Sequence, residues 1–276
     1  MKILQISDVH KDINKANLHT FGFINQLKDV DVLVICGDIS GSYCDTFDFL
    51  LELQEYIETE GLPLKCIAVA GNHESYDSSA EHTYRSEIIN KLRDTFNKGS
   101  VFFCENDFVD VGENTLVYGC CLYTNFGYNM YNERMSLRSI NDFRYSLEYD
   151  VESDVIRPVY PQDYQKWFEK SVKSIDEFCD KYKDKNIVLV THFGMSPKSV
   201  SPKYFSSQLN SFYTSNLEWL IEKHPNIKLV LQGHTHSPLG YKIGECTVSC
   251  NPCGYCIYDE DAPLRPEDYK GKIITL

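Results

Sequence analysis

Five short fragments of this chain carry side chains that bind metal ions: Asp8-Val9-His10, Gly37-Asp38, Gly71-Asn72-His73-Glu74, Thr191-His192 and Gly233-His234-Thr235-His236. Imidazole, carboxylate and carboxamide donors in this mixture suit Mn²⁺, iron or Zn²⁺. Each fragment ends an apolar, largely β-branched run, at residues 3–6, 32–35, 67–70, 187–190 and 229–232. Short apolar runs that stop at Gly or polar residues read as buried strands of an α/β sheet. In such sheets the functional crevice lies beyond the carboxyl ends of the strands. Five strands therefore deliver Asp8, His10, Asp38, Asn72, His73, His192, His234 and His236 to one rim, a ligand set for two metal ions.

The pair His234 and His236 is separated by one residue. In a regular strand the two would point to opposite faces, so both can be ligands only if the chain turns at Gly233. At the strand end before His73, Gly71 is expected to permit a sharp turn. His19, His82 and His224 lie in helix-like polar stretches and read as solvated residues.

The ordered set D-x-H, G-D, G-N-H-[DE], H and G-H-x-H, running from residue 8 to residue 236, resembles the calcineurin-like metallophosphoesterase superfamily. A weaker likeness to its bacterial and phage branch rests on Leu122-Tyr123-Thr124-Asn125-Phe126, on residues 237–244 and on Asn251-Pro252-Cys253-Gly254-Tyr255. The resemblance implies an α/β/β/α sandwich with a dinuclear site. It implies that Asp8, His10, Asp38 and His236 hold one ion, and that Asp38, Asn72, His192 and His234 hold the other. Asp38 then bridges, and Mn²⁺ is the favoured metal, with iron or Zn²⁺ as alternatives. His73 matches the catalytic histidine of the family, and Glu74 reads as an outer support. The implied reaction is hydrolysis of a phosphoester by in-line attack of a metal-bridging hydroxide, with His73 assisting departure of the alcohol.

Within the superfamily, the protein phosphatases follow Gly-Asp with an Asp-Arg-Gly segment, whereas Asp38 is followed by Ile39-Ser40-Gly41-Ser42. The phosphate-binding arginine is missing. A small phosphomonoester or phosphodiester, nucleotides included, is the expected substrate. The alternatives are a nuclease or macromolecular phosphatase, and a non-catalytic scaffold on the same fold. Lys11 stands where many members carry glycine, and its side chain reaches either a substrate phosphate or solvent.

The chain has 276 residues, 27 Lys and Arg against 40 Asp and Glu, and a net charge of −13. That balance lacks the basic footprint of a duplex nucleic-acid binder. It is compatible with a small phosphate substrate, because bound metals reverse the local sign. No apolar run approaches the roughly 18 residues of a membrane span, and no leader-like segment precedes the first strand, so a cytoplasmic protein is expected. Eleven cysteines, many in strand-like runs, read as buried reduced thiols. Cys246, Cys250, Cys253 and Cys256 are spaced too loosely to claim a metal site.

Helices are expected at residues 15–28, 46–60, 81–96, 164–182 and 214–223. Strands are expected at 101–104, 108–111 and 115–122, and a closing hairpin at 240–249. One domain of residues 1–276 accommodates these elements. Residues 123–163 stand apart: eight aromatics, Tyr128 and Tyr131 among them, alternate with Arg134, Arg138, Arg144 and Arg157. This excursion either caps the metals, with Tyr128, Tyr131 and Arg138 contacting substrate, or packs as a satellite core.

Overall fold

The computed structural model describes residues 1–276 apart from 77–82, 257, 260, 261 and 264. Two six-stranded sheets dominate it. The first contains β1 (Lys2–Ile6), β2 (Val32–Ile35), β3 (Lys65–Val69), β4 (Asn97–Lys98), β5 (Val101–Cys104) and the chain's last strand, β14 (Lys272–Thr275). The second contains β6 (Asp107–Gly112), β7 (Thr115–Cys120), β10 (Asn186–Thr191), β11 (Ile227–Gln232), β12 (Leu239–Ile243) and β13 (Cys246–Cys250). A two-stranded sheet, β8 (Leu147–Asp150) with β9 (Val155–Pro158), belongs to the 123–163 excursion.

The two large sheets are built alike. In each, four parallel strands form the centre, β1-β2-β3-β5 and β13-β11-β10-β7, and one antiparallel strand closes each edge. Parallel strands need both faces covered. One face of each sheet meets the other sheet, through Ile3, Val34, Ile67, Val117, Val188 and Leu231. The outer faces carry Leu4, Leu33, Ala68, Leu116 and Leu189 in the larger core with the helices. This is the α/β/β/α sandwich that the sequence implies, and it sets the carboxyl ends of β1, β2, β3, β10 and β11 along one rim.

Two expected helices change character. Residues 15–28 form 3₁₀ turns, Leu18–Thr20 and Gly22–Asp29, rather than an α-helix. The apolar residues there, Leu18, Phe21, Ile24 and Leu27, recur every third position, which matches three residues per turn. Phe21 is extended between the two turns, and a Cβ on Gly22 would lie 2.2 Å from the Glu267 carbonyl. The expected helix at 214–223 begins only at Glu218. Residues before it are spent otherwise: Thr214 bridges Gly194, and the Ser215 N–H donates to the Gly194 carbonyl at 2.9 Å.

The remaining helices are α1 (Tyr43–Thr59), capped by the Ser42 hydroxyl, α2 (Arg85–Thr95), α3 (Met130–Ser139), α4 (Asp142–Tyr145), α5 (Pro161–Lys181), α6 (Asn210–Tyr213) and α7 (Glu218–Lys223). The start expected for α2 at Glu81 lies outside the described residues, as does His82. Among the described residues no helix is long and apolar enough to cross a membrane.

Candidate metal centre

The strand-end loops share an unusual backbone. Asp8, His10, Asp38, His234 and His236 all have positive φ, at 51°, 39°, 55°, 71° and 47°. Left-handed backbone is uncommon for residues with a Cβ, and it turns each side chain abruptly out of the strand direction. This resolves how His234 and His236 face one site. The turn falls on the two histidines themselves and not on Gly233. Gly233 instead permits close approach: a Cβ there would lie 2.8 Å from an Asp8 oxygen and from the Cys36 carbonyl. Gly71 has the same role, since its Cβ would lie 2.1 Å from Asp38 Oδ1.

Two groups of ligand-type atoms result, each with its atoms within 4.8 Å of one another: Asp8, His10, Asp38 and His236, and Asp38, His192 and His234. Asn72 joins the second group through Oδ1, 3.0 Å from His192 Nε2. The structure thus brings together all seven residues expected to be ligands, and Asp38 belongs to both groups.

The hydrogen bonding around the groups leaves lone pairs facing lone pairs. His192 Nδ1 lies 2.8 Å from the Cys36 carbonyl, which fixes the ring proton there. Its Nε2 then faces Asn72 Oδ1 at 3.0 Å, His234 Nδ1 at 3.1 Å and Asp38 Oδ2 at 3.3 Å. One proton cannot serve three acceptors, but a cation can. Asn72 is aimed by its amide, which donates to Asp142 Oδ1 at 3.0 Å. Likewise His236 Nδ1 sits 2.6 Å from Asp259 Oδ2, so its Nε2 faces His10 Nε2 at 3.0 Å and Asp8 Oδ1 at 3.5 Å. This donor set fits two divalent ions.

Protonation follows the same layout. Burial opposes ionisation of Asp38, but His192 and His73 outweigh it and hold its carboxyl well below the usual range. Burial likewise works against the charged His192, yet Asp38 lifts it to about 9. His236 is lifted to about 10 by the hydrogen bond to Asp259, again against burial. Burial pushes His10 and His234 down, with help from His73 and His192 respectively. Protons therefore compete with cations chiefly at His192 and His236.

His73 lies in neither group. Its Nε2 is 4.0 Å from Asp38 Oδ2 and 3.5 Å from the Tyr255 hydroxyl, and its ring stacks on Tyr76 at 4.3 Å. Its backbone N–H donates to Asp38 Oδ1 at 3.0 Å. Glu74 is buried and accepts from the N–H groups of Asp38, Ile39 and Gly71, bracing the Asp38 loop. Burial and the nearby Asp38 raise its carboxyl to about 7.

Lys11, Tyr128, Tyr131 and Arg138 are not brought to the site. Lys11 Nζ turns to Asp45 of α1, 3.5 Å from its carboxylate. Tyr128 and Tyr131 are exposed, and their hydroxyls meet Glu169 and Gln208. Arg138 is exposed on the last turn of α3. The excursion packs chiefly as the satellite core, and one short stretch of it borders the cleft. Tyr123, Phe126, Ile140 and Phe143 are buried in an aromatic cluster with Tyr164, Phe193 and Phe212. Residues 139–142 line the cleft beside the metal ligands. Arg157 spends its guanidinium on Asp163, at 2.7 and 3.0 Å, rather than on a phosphate.

Four contributors escaped the sequence reading: Tyr76, Asp142, Tyr255 and Asp259. Only Tyr255 carried a signal, in the Asn-Pro-Cys-Gly-Tyr segment. His224, expected in solvent, is buried with Nε2 2.6 Å from Asp176. Asp176, Asp180 and His224 could chelate a cation, but Lys223 Nζ already sits 2.6 Å from Asp176. No cysteine joins a ligand group among the described residues, and all eleven are free thiols. Cys253 and Cys256 are buried, with sulfurs 3.7 Å apart.

The sequence model of the calcineurin-like phosphoesterase family matches residues 1–238. No curated protein matches the chain. Among solved structures, phosphopantetheinyl hydrolase from Mycobacterium tuberculosis superposes with a TM-score of 0.64 at 17% identity, over 92% of this chain and 89% of that one. A dimetal phosphatase from Danio rerio gives 0.56 at 13% identity, over 100% and 92%. GAP50, the anchor in the inner membrane complex of Plasmodium, gives 0.53 at 11% identity, over 99% and 80%. At these identities the likeness is one of fold.

Proposed function

We infer, for a chain that belongs to the calcineurin-like phosphoesterase family, that it is a metal-dependent phosphoric ester hydrolase acting on small phosphomonoesters or phosphodiesters. The observation that carries this is the pair of ligand groups sharing the buried Asp38. Asp8, His10, Asp38 and His236 would hold one ion, and Asp38, Asn72, His192 and His234 the other. Mn²⁺ is the favoured occupant, with iron or Zn²⁺ as alternatives for this donor mixture. Two such ions supply Lewis acidity toward the phosphoryl oxygens and a water of lowered pKa.

The protein's own part is positioning. Asp142 and Asp259 aim Asn72 and His236, and the Cys36 carbonyl aims His192. Tyr76 and Tyr255 hold His73 at the cleft wall, where its ring can protonate the departing alcohol or stabilise charge developing on it. Two ions bring about +4 against about −2 from Asp8 and Asp38, so the centre attracts a phosphoryl group on an acidic protein. We further propose a single metallophosphoesterase domain in a reducing, cytoplasmic setting, with neither duplex nucleic acid nor membrane as partner.

The test is hydrolysis of p-nitrophenyl phosphate and bis-p-nitrophenyl phosphate by the purified chain with Mn²⁺. Activity should appear with about two ions per chain and vanish in chelator. Protein that carries two ions and cleaves neither ester would defeat the reading in favour of a non-catalytic scaffold.

A further inference from the structure

The ligand groups form only the floor of the cleft. Above them is a cavity of about 510 Å³. Residues 139–142 wall one side and residues 200–213 part of the other. The walls are tied together, since the Tyr131 hydroxyl donates to Gln208 Oε1 at 2.9 Å and the Thr124 hydroxyl donates to the Ser211 carbonyl at 2.6 Å. The volume is that of a site for a small organic molecule.

The charge of the lining is what distinguishes it. Among the described lining residues there is no Lys or Arg. The carboxylates beyond the floor are already engaged. Asp142 accepts from Asn72, Tyr76 and Tyr164, and Asp259 holds His236 and the Tyr255 N–H. Lys203, just outside the lining, lies over the ring of Tyr204 at 5.2 Å, and its charge also acts on the Asp259 carboxylate. What the walls do present is neutral: the rings of Tyr204, Phe212 and Tyr213, and the side chains of Asn141 and Ser201. The last two make no side-chain hydrogen bond to any described residue.

A phosphoryl group on the floor meets the ions. An anionic group further up would meet no Lys or Arg among the described lining residues, within a chain of net charge −13. We propose that the cavity receives the uncharged part of the substrate, so that the substrate is a small ester with one phosphoryl group joined to a neutral, ring-bearing alcohol. Rings stack on the wall aromatics, and polar edges pair with Asn141 and Ser201. Esters carrying a second phosphate on that alcohol are rejected. This rests on the phosphoesterase reading and names its substrate class.

The experiment compares adenosine 5′-monophosphate with adenosine 3′,5′-bisphosphate, which differ only by a phosphate placed in the cavity. Equilibrium binding to the Mn²⁺-loaded His73→Gln chain, by calorimetry, tests the cavity with turnover suppressed. The monophosphate should bind at least about ten-fold more tightly, since the added phosphate brings nearly two negative charges to a wall without a Lys or Arg. The same ratio should appear in kcat/KM with the Mn²⁺-loaded chain. Asn141→Lys should narrow or invert both ratios. Equal or tighter binding of the bisphosphate, or no saturable binding of either nucleotide, overturns the inference. Hydrolysis of p-nitrophenyl phosphate, run alongside, decides the phosphoesterase reading separately, since it needs the metal floor but says nothing of how a second phosphate is received.

Discussion

The floor and the walls of the cleft are built by opposite strategies. On the floor, five ligand-type residues stand in left-handed backbone at the ends of parallel strands, with φ between 39° and 71°. Residues held in such conformations cost of the order of 1–3 kcal/mol each and persist only where their surroundings over-determine them. Here the surroundings do so. Glu74 clamps three N–H groups of the Asp38 and Gly71 loops, and the Asp8 carboxylate accepts from the His234 N–H at 2.9 Å. The walls, by contrast, come from loops and short helices with half-exposed side chains such as Tyr204 and Tyr213. The floor is rigid chemistry common to a family; the walls are where one member can differ from another.

The largest effect should come from Asp38→Asn. Asp38 is 1% exposed and is the one side chain in both ligand groups. The change removes a charge from both groups and the partner that raises His192. Both ions should be lost on dialysis, and turnover should fall by more than about 10⁴-fold, beyond what loss of one acid–base group costs. Metal analysis of the dialysed variant is the check, and full retention of two ions would break the idea of a shared bridge. Next in size is His73→Gln, which should keep both ions and lose about 10²–10⁴-fold in kcat. If this variant empties the centre, His73 belongs to the floor's ligands and not to the wall facing substrate.

The same contrast explains what the sequence could reveal. Ligand residues follow apolar runs such as Val32-Leu33-Val34-Ile35, so strand, rim and donor are read in one stretch. The order of the five motifs is read from these stretches alone, whereas the sharing of Asp38 between two ions is what the family resemblance implies. Asp142 and Asp259 were invisible because their partners lie 70 and 23 residues away, Asn72 and His236, and no local pattern links them. The excursion misled for a related reason. Tyr128, Tyr131 and Arg138 are conspicuous by composition, but Tyr128 sits in the 3₁₀ turn before α3, and on α3 exposure follows from which helix face packs, with Ser136 the buried residue there. Periodicity identified Tyr43–Thr59 and Pro161–Lys181 closely, whereas the i, i+3 spacing of residues 18–27 marked a helix without distinguishing α from 3₁₀.

Of intermediate size are the two outer carboxylates, which divide the floor between its ions. Asp142→Asn loses a charged acceptor for the Asn72 amide and for the Tyr76 and Tyr164 hydroxyls. It should weaken the ion held by Asn72, His192 and His234 by about 10–100-fold, the usual cost of removing an outer support, and leave the other close to wild type. Asp259→Asn should do the reverse, because His236 Nδ1 is its partner. Stepwise Mn²⁺ titration of the two variants separates the cases. Equal weakening of both ions by each variant would mean that the groups are not independently supported.

The smallest effect should be found on the outer face of the excursion, and it bounds the wall. Tyr128 is 61% exposed, and its hydroxyl reaches Glu169 at 3.4 Å. Arg138 is exposed as well, with no part in the cleft lining. Neither residue buries apolar area worth the name, and neither leaves a buried partner unsatisfied when truncated. Surface substitutions of that kind stay within about 0.5 kcal/mol. Tyr128→Ala and Arg138→Ala should therefore leave the melting temperature nearly unchanged and shift kcat/KM for any phosphoester by no more than about two-fold, the same energy expressed as a ratio. Tyr131 is a different case, because its hydroxyl ties α3 to Gln208 across the two walls. Its truncation should raise KM for an ester with a large alcohol more than for p-nitrophenyl phosphate, since only the former draws binding energy from the walls. A ten-fold loss in the Tyr128 or Arg138 variant would show that substrate reaches beyond residues 139–142, and the boundary between wall and outer surface would have to move outward along α3.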